Sequence, residues 1–485
     1  MTFDSESVML GTLIEKELKT ILLSPKFVAV FAVCSILIIL SIYIGIGEYN
    51  TAVNHYEAVN AQLDQQMREE TNWGWLRTNI VRRPNPMEIF VTGINNDIGR
   101  QCPINTNDVI KLYGSRYSDQ LLFSIFRSMD FMFIVQIVLS LFAILFTYDS
   151  ICGERESGTL KLNFANPIPR TGFILAKLIG SWLGLIIPLL IPMLLGAALV
   201  LVFKIPMTSQ HWIQLLFLTG ISVLYFTFFI CLGVFFSSVT RGPSTSFLCL
   251  LVVWICFVLI IPRAGVMSAG QFIKVDPAAE IESKLTQKRR QTSEEFSRWM
   301  NNMSKEREAA LSSIPREEYQ EKSKAIFEEY DKKYDEERIR TTLEVDRYYM
   351  SLLEDWRNRK GELERLGYAM SRFSPASAFQ LAAMNLAGTG LSLKSQYEDQ
   401  LHDYKGVFNR FRAEKEIESE AKNAGNSGNG KKETIDITEL PRFSFVEESI
   451  SKKLTGTAID IAILSFYILF AIAGAFISFN RYDVR

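Results

Sequence analysis

Six apolar runs dominate this chain, at residues 27–47, 131–148, 178–203, 212–236, 246–262 and 458–479. A bilayer core about 30 Å thick takes roughly 20 residues of helix, so each run is read as a transmembrane span, the fifth being short. Inside lipid only a helix satisfies its own backbone polar groups at that length. The predicted fold class is therefore an all-α integral membrane protein with six transmembrane helices. Charged residues are 22% of the chain. They concentrate between the spans, as expected when membrane helices alternate with water-facing segments.

Lysine and arginine near the span ends set the orientation. One side collects Lys16, Lys19, Lys26, Arg155, Lys161, Arg170, Lys177, Arg241, Arg481 and Arg485, whereas the short loop on the other side carries Lys204 alone. Both termini are thus expected in the cytoplasm. Residues 1–26 form a cytoplasmic amphipathic helix on the inner leaflet, with Glu15, Lys16, Glu17 and Lys19 on a mixed polar face. Residues 48–130 form a first extracytoplasmic domain, 149–177 a cytoplasmic loop, 263–457 a second, mainly helical extracytoplasmic domain, and 480–485 a cytoplasmic tail. The apolar first span is too long, and lacks the small-residue cleavage site, for a signal peptide.

In the second outer domain, Ile281, Leu285, Thr292, Phe296, Trp299 and Met303 recur at helical spacing. Tyr319, Ile326, Tyr330 and Tyr334 resume the pattern after Pro315. Glu, Lys and Arg fill the intervening positions, which predicts two long helices packed as a hairpin or coiled-coil stalk. Either a solvated spacer or a partner-docking element fits this pattern. Residues 376–386 read as a short apolar helix at the outer interface, and 423–432 as a flexible loop.

Several chemistries lack their residues. The chain has no P-loop, no G-x-S-x-G and no H-E-x-x-H, so neither ATP binding by this route nor hydrolase chemistry is expected. His55, His211 and His402 stand far apart, which argues against a zinc site. A net charge of −1 without a basic stripe argues against nucleic acid. Of Cys34, Cys102, Cys152, Cys231, Cys249 and Cys256, only Cys102 falls outside, so no disulfide is expected within the outer domains. Tyr148-Asp149 resembles the Tyr-Asp pair of presenilin-type proteases, but their Gly-x-Gly-Asp partner is missing, and Asp149 is read as interfacial. Asp460 is the clear charge within a span, and an intramembrane acid raises a functional suspicion. Span three carries Pro188 and Pro192, which disturb a helix, and Gly180 and Gly184 at small-xxx-small spacing. Ordinary packing and a hinge both fit these four residues.

The segment between spans two and three includes Gly153-Glu154-Arg155-Glu156-Ser157-Gly158-Thr159-Leu160-Lys161-Leu162-Asn163-Phe164, followed by Pro167, Arg170 and Lys177. Here the chain resembles the permease subunits of ABC-2-type transporters. These show an acidic E-x-E-x-G-T-L stretch at this place, then a Pro, an Arg and a Lys. Glu154, Glu156, Gly158, Thr159, Leu160, Pro167, Arg170 and Lys177 match. Six spans and the amphipathic helix before the first fit the resemblance, as does the tail 479–485; the two large outer domains depart from compact members. Residues 154–164 are read as one short helix parallel to the membrane, with Gly158 permitting close backbone contact. Leu160, Leu162 and Phe164 then serve as apolar anchors, and Glu154, Arg155 and Glu156 as register-setting charges, for a partner. The resemblance implies that this loop docks on a separate ATPase subunit, present in two copies beside a second, identical or homologous permease chain. It implies no cofactor on this chain, ATP and Mg residing on the ATPase, and a place in a bacterial cytoplasmic (inner) membrane. Export is the expected direction. The alternative is mechanotransmission, in which ATP hydrolysis moves the outer helices to act on a cell-envelope partner.

Overall fold

Ser24-Pro25 divides the first two helices. The Ser24 hydroxyl accepts from the Phe27 amide at 3.2 Å and Pro25 occupies the first turn, where its missing N–H costs nothing. In the computed structural model, α1 (Thr2–Leu22) thus ends just before α2 (Pro25–Glu69), a helix of 45 residues. The structure describes residues 2–73, 76–104, 110–116, 129–165, 168–315, 319–424 and 436–481. Tyr482–Arg485 and most of the predicted loop 423–432 lie outside that set.

Beyond the first apolar run α2 continues unbroken through residues that the sequence reading assigned to a polar outer segment. Its last turns bring Met67 into a small core with Leu76, Ile80, Cys102, Ile104, Tyr397, Leu401 and Phe408. That core backs a two-stranded antiparallel hairpin, β1 (Thr78–Val81) and β2 (Gln101–Ile104), with Thr78 opposite Ile104. Tyr397 and Phe408 come from α12 (Ser392–Ala424).

The second span, α3, begins at Phe131, contains a π-helical stretch at Ile134–Leu139, and ends at Thr147. Asp130 caps it, accepting from the Phe133 and Thr92 amides at 2.9 Å each. Two short helices follow, α4 (Cys152–Glu156) and α5 (Thr159–Phe164). Then come α6 (Arg170–Val202), α7 (Ser209–Val239) and α8 (Pro243–Phe272, with a π-helical stretch at Cys256–Ile260). The last span is α13 (Ile450–Asn480). Among the described residues six helices are long and apolar enough to cross a membrane, and almost all the other structure described is helical, so the fold class is all-α. The fifth helix extends past 262, which removes the shortness of its apolar run.

α7 and α13 pack extensively on one another, and both clasp α11 (Pro375–Ala387). Ser374 caps α11, and Gly388 closes it at φ 70°, a conformation suited to glycine. The sequence reading put this short apolar helix at the outer interface. Whatever its depth, it packs inside the bundle: Ala376, Ala378, Phe379, Ala382, Ala383 and Ala387 are fully buried, with Phe379 stacked on Tyr225 of α7 at 4.6 Å. Its alanines let three helices approach closely, a packing use that short apolar helices share with interfacial ones.

The chain divides into two compact units, one of residues 1–262 and 372–485 and the other Arg263–Ser371. The second unit contains α9 (Ala278–Ser312) and α10 (Tyr319–Ser371), 35 and 53 residues long, packed antiparallel. Phe296 meets Tyr334 at 5.7 Å, Lys288 meets Glu344 at 2.6 Å, and the Trp356 indole N–H donates to the Asp276 carbonyl at 2.9 Å. Ile281, Leu285, Thr292, Met303 and Tyr330 form its buried seam, whereas Tyr319 is exposed.

Candidate functional site

The loop between spans two and three is not one helix. Ser157 and Gly158 break it into α4 and α5, with Gly158 at φ 74°. A Cβ there would meet nothing within 4 Å, so the glycine serves the left-handed backbone rather than a close approach. The turn is fastened by the Thr159 and Ser157 hydroxyls, 2.9 Å apart.

Each half of the loop is anchored to a different part of the bundle. At the start of α4, the Ile151 and Cys152 amides donate to the Ser237 hydroxyl of α7 at 2.9 and 3.1 Å. The Arg155 guanidinium donates to the carbonyls of Thr240 at 2.7 Å and Ser238 at 3.4 Å. In α5, Leu160 is buried in the bundle core, and Phe164 packs on Phe173 of α6 and Phe479 of α13. Arg170, at the start of α6, donates to the Asn480 carbonyl at 2.9 Å. Pro167 lies outside the described residues.

Lys177 sits at the centre. It is 6% exposed, and its ammonium donates to Glu17 of α1 at 2.7 Å and to Glu154 of α4 at 2.8 Å. Glu154 also accepts from Asn163 of α5 at 2.8 Å and lies 3.5 Å from Lys16. Two carboxylates and two ammonium groups thus balance one another, with Lys177 and Glu17 buried and Lys16 half-exposed at the rim; a buried charge requires such pairing. Burial pushes the Glu17 carboxyl above its ordinary range, and the adjacent Lys177 ammonium opposes that.

Gly180 and Gly184 show why α1 comes so close. A Cβ on Gly180 would lie 2.6 Å from the Glu17 Cβ, and one on Gly184 would lie 3.4 Å from the Ile21 Cδ1. The small-residue face of α6 therefore carries α1, and Pro188 and Pro192 lie farther along the same continuous helix. Glu17 corrects the sequence reading of α1. It occupies the inward face with Ile14 and Ile21, not the polar face. Its place at i+3 from Ile14 and i−4 from Ile21 was the available signal.

The predicted partner-facing set divides as a result. Leu160, Glu154 and Arg155 face inward onto the bundle. Glu156, Ser157, Thr159, Lys161 and Leu162 are exposed, Leu162 at 71%. This surface carries one acid, one base and one large apolar side chain within two turns.

The intramembrane acid has a structural partner. Asp460 is fully buried and receives two hydrogen bonds from the Arg372 guanidinium, at 2.6 and 3.2 Å. Asp149 is half-buried at the end of span two.

A search of curated proteins finds no match. The family model described as "ABC-2 family transporter protein" matches residues 12–484, from within α1 to just past α13 and across the anchored loop. A match over nearly the whole chain, on a bundle of six candidate membrane helices, shows that this chain belongs to the ABC-2 transporter family of multi-pass membrane proteins.

Proposed function

We propose that the chain is the permease subunit of an ATP-driven exporter, coupled through α4–α5 to a separate ATPase on the cytoplasmic side. The observation that carries this is the Lys177 node. It joins the loop to α1 and α6 by buried ion pairs, while the opposite side of the loop stays exposed. A push on Glu156, Thr159, Lys161 and Leu162 would reach α6 and α1 through Glu154 and Lys177, with Asn163 tying α5 to Glu154 across the break at Gly158. Two permease chains, identical or homologous, and two ATPase chains complete the assembly. The lysines and arginines gathered at this end support both termini in the cytoplasm, and the family resemblance implies a bacterial inner membrane. ATP and Mg belong to the ATPase, and this chain contributes motion rather than catalysis.

The test is a pull-down from detergent-solubilised membranes, comparing wild type with Glu156→Arg and Leu162→Asp combined. Both side chains are exposed, so the bundle should survive the change. A P-loop ATPase should co-purify with the wild type and be lost from the variant. A stable wild-type complex containing no such ATPase would overturn the proposal.

A second reading rests on α9 and α10. At 1.5 Å per residue they run roughly 50 and 80 Å, long for a plain connector. In that reading ATP hydrolysis moves these helices against a cell-envelope partner and no solute crosses. ATP-dependent accumulation of a solute in vesicles holding the purified complex would rule it out.

A further inference from the structure

Two spans depart from the regular α-helix, α3 at Ile134–Leu139 and α8 at Cys256–Ile260, where each takes a wider, π-helical turn. Such a turn leaves main-chain carbonyls without their usual donors, and a buried carbonyl must then be met from elsewhere. In α8 the cause stands in the sequence. The Ile261 amide donates to the Cys256 carbonyl, and the next residue, Pro262, has no N–H. The Phe257 carbonyl is thus left without a main-chain donor one turn on, and the Ser374 hydroxyl donates to it instead. In α3 the Ser140 amide donates to the Ile137 carbonyl. The Gln136 carbonyl accepts from the Ser140 hydroxyl at 2.6 Å and from the Tyr225 hydroxyl of α7 at 3.0 Å.

The two wide turns share their supports. Trp254, two residues before the wide turn of α8, donates its indole N–H to the Ser140 hydroxyl of α3 at 2.8 Å. Ser374 is the cap of α11, its oxygen accepting from the Ala376 and Ser377 amides while its hydroxyl serves α8. Phe379, also of α11, stacks on the Tyr225 ring whose hydroxyl serves α3. Ser140, Tyr225, Ser374 and Phe379 are all fully buried. From this arrangement we infer that α11 is a latch on α3 and α8. Seated in the bundle it fixes the register of both wide turns, and its displacement frees both at once. A change of register by one residue turns the rest of a span by about 100° and shifts it by about 1.5 Å. Only Arg372, Phe373 and Ser374 separate α11 from the end of α10, so a pull along the chain from α10 reaches the cap first. The latch stands whether or not the ATPase coupling above is correct.

The experiment is amide hydrogen exchange, read by mass spectrometry on the purified full-length chain in detergent, over the two wide turns. Ser374→Ala removes both the cap of α11 and the donor to α8. It is made in the wild-type chain and in Trp254→Phe, which cuts the direct hydrogen bond between α8 and α3. Tyr225→Phe removes the donor to α3 and keeps the ring against Phe379. A latch predicts that Ser374→Ala speeds exchange about tenfold or more in both turns, that it does so in the Trp254→Phe chain as well, and that Tyr225→Phe speeds α3 alone. Exchange unchanged by Ser374→Ala, or faster in α8 only, overturns the inference. So does an effect on α3 that disappears in the Trp254→Phe chain, because the two spans would then act on each other without α11. Should Ser374→Ala fail to fold, Phe379→Leu decides. It withdraws the ring from Tyr225 and leaves the Ser374 bond in place, so faster exchange in both turns supports the latch and faster exchange in α3 alone, or in neither, overturns it.

Discussion

Replacing Lys177 by Met tests the node most directly. The side chain is nearly isosteric, so packing against α1 is retained while the charge disappears. Two carboxylates then remain where one ammonium held both, the Glu17 side chain 9% and the Glu154 side chain 16% exposed. Their oxygens, each bonded to the same nitrogen, stand about 4–5 Å apart, where like charges repel by ~3–4 kcal/mol at an effective dielectric of about 20. Breaking a buried ion pair from one side costs about 3–5 kcal/mol by comparison with measured cases, and the two figures agree. Adding Glu17→Gln should recover more than half of the loss. Glu154 keeps Lys16 at 3.5 Å and Asn163 at 2.8 Å, and no second buried carboxylate remains beside it. The assay is loss of helical circular dichroism in mixed micelles, run as a double-mutant cycle on Lys177→Met, Glu17→Gln and the pair. A Lys177→Met loss under about 1 kcal/mol, or losses that simply add, would refute the buried coupling described for this site.

Two further outcomes follow from charges elsewhere in the bundle. Burial pushes the Asp130 carboxyl up to about 6, against the backbone amides of Phe133 and Thr92, which favour its charged form. The native state thus holds that proton more tightly than the unfolded chain, whose aspartates titrate near ~3.9, so this stability is full below that value and is lost as pH rises through about 6. Melting curves between pH 4 and 7 should show the decline in wild type and a flatter profile in Asp130→Asn. Arg372→Met strands the fully buried Asp460 carboxylate and should cost about 3–5 kcal/mol. Arg372→Met with Asp460→Leu should recover monodisperse protein on gel filtration; if the single variant already behaves as wild type, the pair does not hold α13.

The spans were legible because lipid leaves one solution for an apolar run of that length, and hydropathy alone finds it. What lay between them was less so. Nothing in the hydropathy of α2 marks the change from an apolar to a polar surface as anything but an end, yet no Pro or Gly stops the helix before Glu70. The buried place of α11 was invisible for the opposite reason: alanine-rich apolar sequence suits a helix interface and a membrane surface equally. In the loop, Glu154, Gly158 and Lys177 were singled out by the resemblance to the ABC-2 permease motif, but Leu160 and Leu162, two residues apart, looked alike. Only the break at Gly158 decides which one faces inward. The inward face of Glu17 was legible in its spacing from Ile14 and Ile21, but its partner Lys177, 160 residues away, and the Asp460 partner of Arg372, 88 residues away, were beyond the reach of local pattern.

The unbroken course of α2 has a mechanical consequence. Its 45 residues make a rod roughly 68 Å long, more than twice the thickness of a bilayer core. One stretch packs on α6, the helix that carries Lys177, and its far turns are set into the small core behind the β-hairpin. Such a rod works as a lever. A tilt of about 5° about one end carries the other through about 6 Å, the rise of one helical turn. Displacement at the α6 end would then arrive at the hairpin core already amplified, with no hinge in between to absorb it.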